Sequence, residues 1–333
     1  MNTFGEPDAP VGGSPIELGV HIVPLLESSR LILNADPFTR EVLREALPSP
    51  RGGWSGHPLG TIRARRDDAP APPPPHAEPS MCVSGITLWV DQPAAGHTHL
   101  RNAAGSVHGA VDRDSRGATL HVHSALSADE RLDAGVALGL AVTLLVGHVG
   151  HAVVHAAGVI APAGGAWMLV GDSRAGKSSA TAALVSAGWD YLSDDAVILS
   201  PIRGGIRVEG WGSSIHLDRG FHAGVTTGHR VEFDPRSFRA GHWRASAELR
   251  GILFPRVSAD LPTGLAPITR ADAFVELVRQ SPWLLADRGA SPAVAALLSA
   301  AAEHPLARLT LGADSYALPE RLTAVLSAMT SSR

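Results

Sequence analysis

Lysine is almost missing from this chain. The sequence holds 28 Lys plus Arg, of which Lys177 is the sole lysine, leaving 27 Arg. Cysteine is as scarce: with Cys82 alone, no disulfide can close within the chain, which favours a reducing, cytosolic setting. A basic surplus is missing too. The net charge is -4, whereas a general nucleic-acid binder needs the opposite balance, so no nucleic-acid partner is expected. The opening stretch, MNTFGEPDAPVGGSP, has neither the basic nor the apolar region of a signal peptide. The longest apolar helix candidate, 136–146, falls short of the about 20 residues that span a bilayer. We expect a cytoplasmic protein with no membrane partner. No internal repeat is present. What is there suffices for a large core: 333 residues, 44% hydrophobic, enough for one large domain or two smaller ones.

Along the chain, ELGVHIVPL and SRLILNA read as strands, and DPFTREVLREAL as a helix with Asp36 as N-cap and Pro37 at its first position. TIRARR is another strand candidate. Residues 1–66 are expected to form a small α+β N-terminal unit. The run DDAPAPPPPHAEPS, 67–80, holds four consecutive prolines and reads as a linker or exposed loop. GITLWVD and ATLHVHS follow as strands. Ser127 and Glu130 have the spacing of a capping box, opening a helix apolar nearly all round and therefore buried. HAVVHAAGVIAP and AWMLVG read as strands of a buried sheet, and YLSDDAVIL as a further strand. The span 230–256 mixes six Arg with acidic residues and little periodicity, and reads as loops around short strands. RADAFVELVRQ, SPAVAALLSAAAEH and PERLTAVLSAM are helix candidates. Residues 81–333 are expected to form one domain: strands and a helix over 81–150, a core over 151–260 and a helical part over 261–333.

The lone lysine sits in GDSRAGKS, residues 171–178, which matches G-x-x-x-x-G-K-S between an apolar strand and a helix-forming run. Gly171 and Gly176 allow a tight turn and close approach to a ligand. The backbone N–H groups of Asp172, Ser173, Arg174, Ala175 and the residues after them can then face an anion at a helix N-terminus, Ser179 included. Lys177 reaches the β- and γ-phosphates as a compact point charge, which the planar fork of arginine does not replace. Ser178 offers a hydroxyl to Mg²⁺. Arg174 either adds a phosphate contact or is simply exposed.

Asp194 and Asp195 form an adjacent acidic pair in YLSDDAVIL. One carboxylate can hold Mg²⁺ while the other accepts a proton from an attacking hydroxyl. Neighbouring side chains on a strand point to opposite faces, so this works best at a strand end or bulge.

These residues together resemble the HPr kinase/phosphorylase superfamily of bacterial P-loop serine kinases. The likeness lies in four elements in order over 155–257: His155 ahead of the loop strand, the loop itself, G-x-x-x-x-S-D-D ending at Asp195, and E-x-R-G as ELRG from Glu248. The C-terminal ITRADAFVEL and HPLARLTLGADSYALPERL are similar to the tail of such proteins. The resemblance implies an α/β fold: a P-loop HPr-kinase-like, phosphoenolpyruvate-carboxykinase-like kinase domain with a smaller α+β N-terminal region. It implies ATP and Mg²⁺, with Asp195 as base, Asp194 assisting at the metal, His155 near the transferred phosphate, Glu248 helping with metal or acceptor, and Arg250 neutralising developing charge. It favours a homo-oligomer. The loop departs from its relatives in carrying Asp172 and the pair Arg174 and Ala175. The long N-terminal domain of true HPr kinases is not seen, and size and layout look closer to kinases of peptide natural-product clusters, including those of lasso-peptide precursors.

The expected function is an ATP- and Mg²⁺-dependent kinase transferring the γ-phosphoryl group to a serine hydroxyl of a peptide or small protein. The alternatives are a small-molecule hydroxyl kinase and a nucleotide-binding regulatory module with little turnover. Three close histidine pairs, His97 with His99, His121 with His123 and His148 with His151, invite a zinc reading, but no Cys or His-x-x-Glu pattern completes a site. Trp211, Trp243 and Trp283 read as packing residues, with Trp243 kept as a candidate substrate contact.

Overall fold

The computed structural model describes residues 19–26, 29–44, 57–68, 71, 78–83, 85–90, 96–211, 215–218, 230–234, 243–285, 291–317 and 319–331. A hairpin of β1 (Gly19–Leu26) and β2 (Ser29–Ala35) leads into α1 (Pro37–Leu43). Asp36 caps α1 as the sequence predicts: its carboxylate accepts from Thr39 N at 3.0 Å and from the Thr39 hydroxyl at 2.7 Å. It also accepts from Arg66 N at 2.7 Å, which ties α1 to β3 (His57–Asp67). Burial works against the Asp36 charge, yet these donated bonds hold its pKa below the usual carboxylate range.

Strands β4 (Met81–Val83), β5 (Ile86–Val90), β6 (His97–Asn102), β7 (Val107–Asp112) and β8 (Gly117–His123) complete an eight-stranded sheet in the order β1-β2-β3-β8-β7-β6-β5-β4. This corrects the expected boundary. Residues 1–66 do not form a separate unit, because β3 pairs in parallel with β8 from Thr61 opposite Gly117 to Asp67 opposite His123. The proline run at 72–77 lies outside the described residues. Strands β6 and β7 carry His, Arg and Gly between their apolar residues, so their alternation is thin in the sequence.

Helix α2 (Ala128–His148) opens with the expected capping box. Ser127 N donates to Glu130 Oε2 at 2.8 Å, and Glu130 N donates to Ser127 Oγ at 3.3 Å. At 21 residues it outruns the expected 136–146 and is long and apolar enough to cross a membrane by length and composition. Its side chains Leu138, Leu145 and Val146 instead pack with Leu33, Ile62 and Leu120 of the sheet in one buried cluster.

The second half is built on β9 (Ala152–Val154), β10 (Ala156–Ile160), β11 (Ala166–Val170), α3 (Lys177–Ser186), β12 (Asp190–Ser193), β13 (Val197–Ile202), β14 (Gly205–Gly210), the hairpin β15 (Ile215–Asp218) with β16 (Arg230–Phe233), and β17 (Ser246–Val257). It closes with β18 (Gly264–Ala266), α4 (Arg270–Arg279), α5 (Ser291–Ala301), β19 (Leu306–Leu311), α6 (Ala313–Ala317) and α7 (Pro319–Ser331). Strand order is β12-β10-β11-β17-β14-β13-β9, with β19 beside β17 and β18 beside β19. Adjacent residues of the central strands bury opposite faces. Met168 and Val170 meet Leu277 of α4 and Leu298 of α5, while Trp167 and Leu169 meet Leu184 of α3 and Leu322 of α7. The architecture is mixed α/β, as expected. Two expectations need correction: β17 is a continuous strand of 12 residues inside 230–256, and the stretches HAVVHAAGVIAP and YLSDDAVIL are each broken into two strands.

Candidate active site

Those two breaks position the site. Strand β9 pairs with β13, whereas β10 pairs with β11 and β12, so the chain changes partners at His155. The other broken strand changes partners at residues 194–196, between β12 and β13. The two breaks lie side by side: His155 Nδ1 is 2.9 Å from the Asp195 carbonyl oxygen. Ala156 pairs with Val170, the last residue of β11, which sets His155 beside the start of the loop at Gly171.

The loop turns directly into α3, whose N-cap Gly176 has φ +100 and supplies no side-chain cap. A Cβ at Gly176 would lie 2.6 Å from Leu311 Cδ1 and 2.9 Å from Val257 Cγ2, so conformation and space both demand glycine. Arg174 is left-handed at φ +68 and exposed. Uncapped amides at a helix N-terminus face an anion favourably. Lys177 is 6% exposed, and its Nζ donates to the carbonyls of Gly171 at 2.7 Å and Asp172 at 3.1 Å and lies 3.0 Å from His155 Nε2. The Asp172 carboxylate turns outward to the end of α4, where Gln280 Nε2 donates to Oδ1 at 2.7 Å and Arg279 Nη2 to Oδ2 at 3.4 Å. Gln280 also accepts from His155 N at 2.8 Å, so one residue braces both the loop and the histidine.

The acidic pair is divided by burial. Asp194 is 3% exposed, accepts from His216 N at 3.2 Å, and is hydrogen-bonded by the Ser178 hydroxyl. Burial pushes its pKa up to about 6, against the pull of those bonds. The Asp195 side chain is 72% exposed, with Oδ1 3.5 Å from His155 Nδ1. One carboxylate thus sits beside the Ser178 hydroxyl and the other stands at the mouth.

Residues 171–178, with Ser179 in the first turn of α3, His155, Asp194 and Asp195 are therefore brought together. Glu248 and Arg250 are not. Leu249 between them pairs with Ala166, the first residue of β11, which is five residues or about 16 Å from Gly171. Arg250 lies against Gly165 and Glu248 against Gly205, both in turns at the opposite end of the sheet. The site gains Arg279 and Gln280 instead. Nothing in the sequence pairs them with Asp172 across 108 positions; the only cue is a basic residue ending an amphipathic helix.

The close histidine pairs do not act as pairs. His121 stacks on His108 at 4.8 Å between ring centroids and meets Asp67 at 3.2 Å, taking one residue from each of three strands. Burial, and then the neighbouring His121, hold His108 below its usual pKa. Trp243 packs edge-on against Tyr191 at 5.6 Å. The side chain of Trp283 lies outside the described residues. Trp211 lines a cavity of about 870 Å³ between α1, α2 and the acidic connection, whose wall also includes His155, Asp195 and Arg279.

No family model matches the chain, and no curated protein matches it. Among solved structures it is similar to the Hpr(Ser) kinase/phosphatase from Coxiella burnetii, at 11% identity and a TM-score of 0.31, over 54% of this chain and 97% of that one. Identity at this level leaves the chemistry to be read from this chain's own side chains.

Proposed function

We propose that this chain is an ATP- and Mg²⁺-dependent kinase that moves the γ-phosphoryl group to a serine hydroxyl of a peptide or small protein. The observation that carries the reading is the division of the acidic pair beside a Gly-x-x-x-x-Gly-Lys-Ser loop: a buried Asp194 against Ser178 and an exposed Asp195 against His155. Loop amides and Lys177 hold the phosphates. The Ser178 hydroxyl and the Asp194 carboxylate are adjacent hard oxygen donors, a set that suits Mg²⁺. When bound, Mg²⁺ supplies charge neutralisation across the phosphates.

Asp195 takes the proton of the acceptor hydroxyl. The acceptor oxygen bonds to the γ-phosphorus as the bond to the β,γ-bridging oxygen breaks, and ADP leaves. Arg279, held at the rim by Asp172, stands where Arg250 does not, and offers charge to the transferred group. Most of the rate gain comes from positioning and charge stabilisation.

The test is transfer from γ-labelled ATP to serine peptides and to free hydroxyl metabolites, in wild type and in Asp195→Asn. Label on a peptide serine that falls at least about 100-fold in the variant supports the reading, in line with the usual worth of a general base. Nucleotide binding with no transfer to any acceptor, unchanged in the variant, supports a regulatory module instead.

A further inference from the structure

We infer that the cavity between α1, α2 and the acidic connection seats the phosphoryl acceptor, and that it takes an extended peptide segment with an apolar face and a carboxylate that meets Arg131. This rests on the kinase reading above.

The argument starts from α2. Its cavity-lining residues step by three and four from Ala128 to Thr143, one continuous helical stripe. That stripe is about 22 Å long at 1.5 Å per residue. An extended chain covers the distance in about six or seven residues, which matches a peptide better than a metabolite. The cavity, about 870 Å³, lies in the range of ligand sites.

Two features of the stripe serve no internal packing. Gly135 and Gly139 occupy its middle, although glycine is the poorest helix former after proline. A Cβ at Gly139 would meet nothing within 4 Å, so no neighbour requires a glycine there. Leu132 is 67% exposed on the same face. Open space and uncovered apolar surface therefore run together along a wall that also holds Asp195 and His155, the groups assigned to the acceptor proton.

Charge gives the polarity. Arg44 of α1 pairs with Glu41 at 3.1 Å. Arg131, exposed near the start of the stripe, has no carboxylate partner among the described residues. A carboxylate on the acceptor would find its counterion there.

The experiment offers γ-labelled ATP, Mg²⁺ and a library of heptapeptides to the full chain. Each peptide carries one serine in an apolar background and an acidic, neutral or basic residue at a varied position. Wild type is compared with Gly139→Leu, which fills the stripe, and Arg131→Glu. Affinity for a fluorescent ATP analogue and thermal unfolding are read alongside. We expect wild type to favour acidic peptides. Gly139→Leu should raise peptide KM at least tenfold with nucleotide affinity unchanged and melting temperature unchanged or higher. Arg131→Glu should turn the preference from acidic to basic peptides. Wild-type KM in Gly139→Leu would place the acceptor elsewhere, and an unchanged preference in Arg131→Glu would overturn the carboxylate assignment. Wild type that binds the nucleotide yet labels only small hydroxyl compounds, or no peptide, overturns the peptide occupant. Wild type with no nucleotide affinity overturns the kinase reading itself and the inference with it.

Discussion

Lys177 Nζ lies 3.0 Å from His155 Nε2, and that contact fixes the tautomer of the histidine. An ammonium can only donate, so Nε2 accepts, and Nδ1 carries the hydrogen that it donates to the Asp195 carbonyl at 2.9 Å. Burial first, and the Lys177 charge second, hold His155 below its usual pKa, so the ring is neutral at pH 7. The sole lysine thus does two things: it faces the loop carbonyls, and it keeps the neighbouring imidazole uncharged.

Lys177→Met should separate these roles. Removing the charge should raise the His155 pKa, which an NMR titration of the ring protons reads directly. Transfer should fall by about 100-fold or more, the usual loss when one charge-stabilising donor is removed. Lys177→Arg should not restore it, because the planar fork does not replace the compact ammonium. A His155 pKa that stays put in Lys177→Met would mean that burial alone depresses it.

Asp194 makes the stability of the ligand-free protein depend on pH. Its folded pKa, about 6, lies above the model value of 3.8. Between these values the unfolded chain has lost the proton that the fold still holds, so stability falls as pH rises through roughly 4 to 6 and stays lowered above. Asp194→Asn removes that titration. The variant should melt higher than wild type at pH 7, with the gain shrinking towards pH 4, as thermal unfolding across a pH series will show. A difference independent of pH would sink the account.

How far the sequence carried can be judged from particular elements. The Asp36 and Ser127 caps, the strand before Gly171 and the helix after it were all legible, because each rests on residues close together in the chain. The grouping of His155 with the acidic pair was read only through the family resemblance. Its physical cause, two strands changing partners at the same place, is non-local: HAVVHAAGVIAP looks like one apolar run whether or not it breaks. The same blindness placed Glu248 and Arg250 at the site. Their spacing is right in sequence, but the parallel register of β17 on β11 carries them to the far end of the sheet. Asp172 looked like a departure from the loop pattern, and its partners Arg279 and Gln280 come from a helix more than a hundred residues later.

Register therefore gives a contrast that kinetics can read. Glu248→Ala and Arg250→Ala should leave kcat and KM within about twofold of wild type, as expected of exposed positions away from the chemistry. Arg279→Ala should weaken transfer at least tenfold, a modest share of what a charge donor at a developing anion supplies. Loss of activity in Arg250→Ala with Arg279→Ala silent would reverse the assignment of the rim charge.

The second glycine of the loop can be tested against a control within the same chain. Gly176 has φ +100, and its added Cβ would crowd Leu311 at 2.6 Å and Val257 at 2.9 Å. Gly164, in the turn between β10 and β11, has φ +89, and nothing lies within 4 Å of its added Cβ. Alanine at either position pays the same left-handed strain, about 1 kcal/mol or somewhat more. Only Gly176→Ala adds overpacking, typically about 1–3 kcal/mol in a tight core. Leu311 is 1% exposed and cannot swing aside, whereas Val257 is 46% exposed and can, so most of the clash falls on Leu311. Denaturant unfolding should therefore show a clearly larger loss for Gly176→Ala than for Gly164→Ala, with equal m-values. Only the first should lose nucleotide affinity, since its strain is relieved by moving the loop that holds the phosphates. Equal losses in the two variants would mean that the backbone conformation alone, and not the fit against β17 and β19, keeps glycine at position 176.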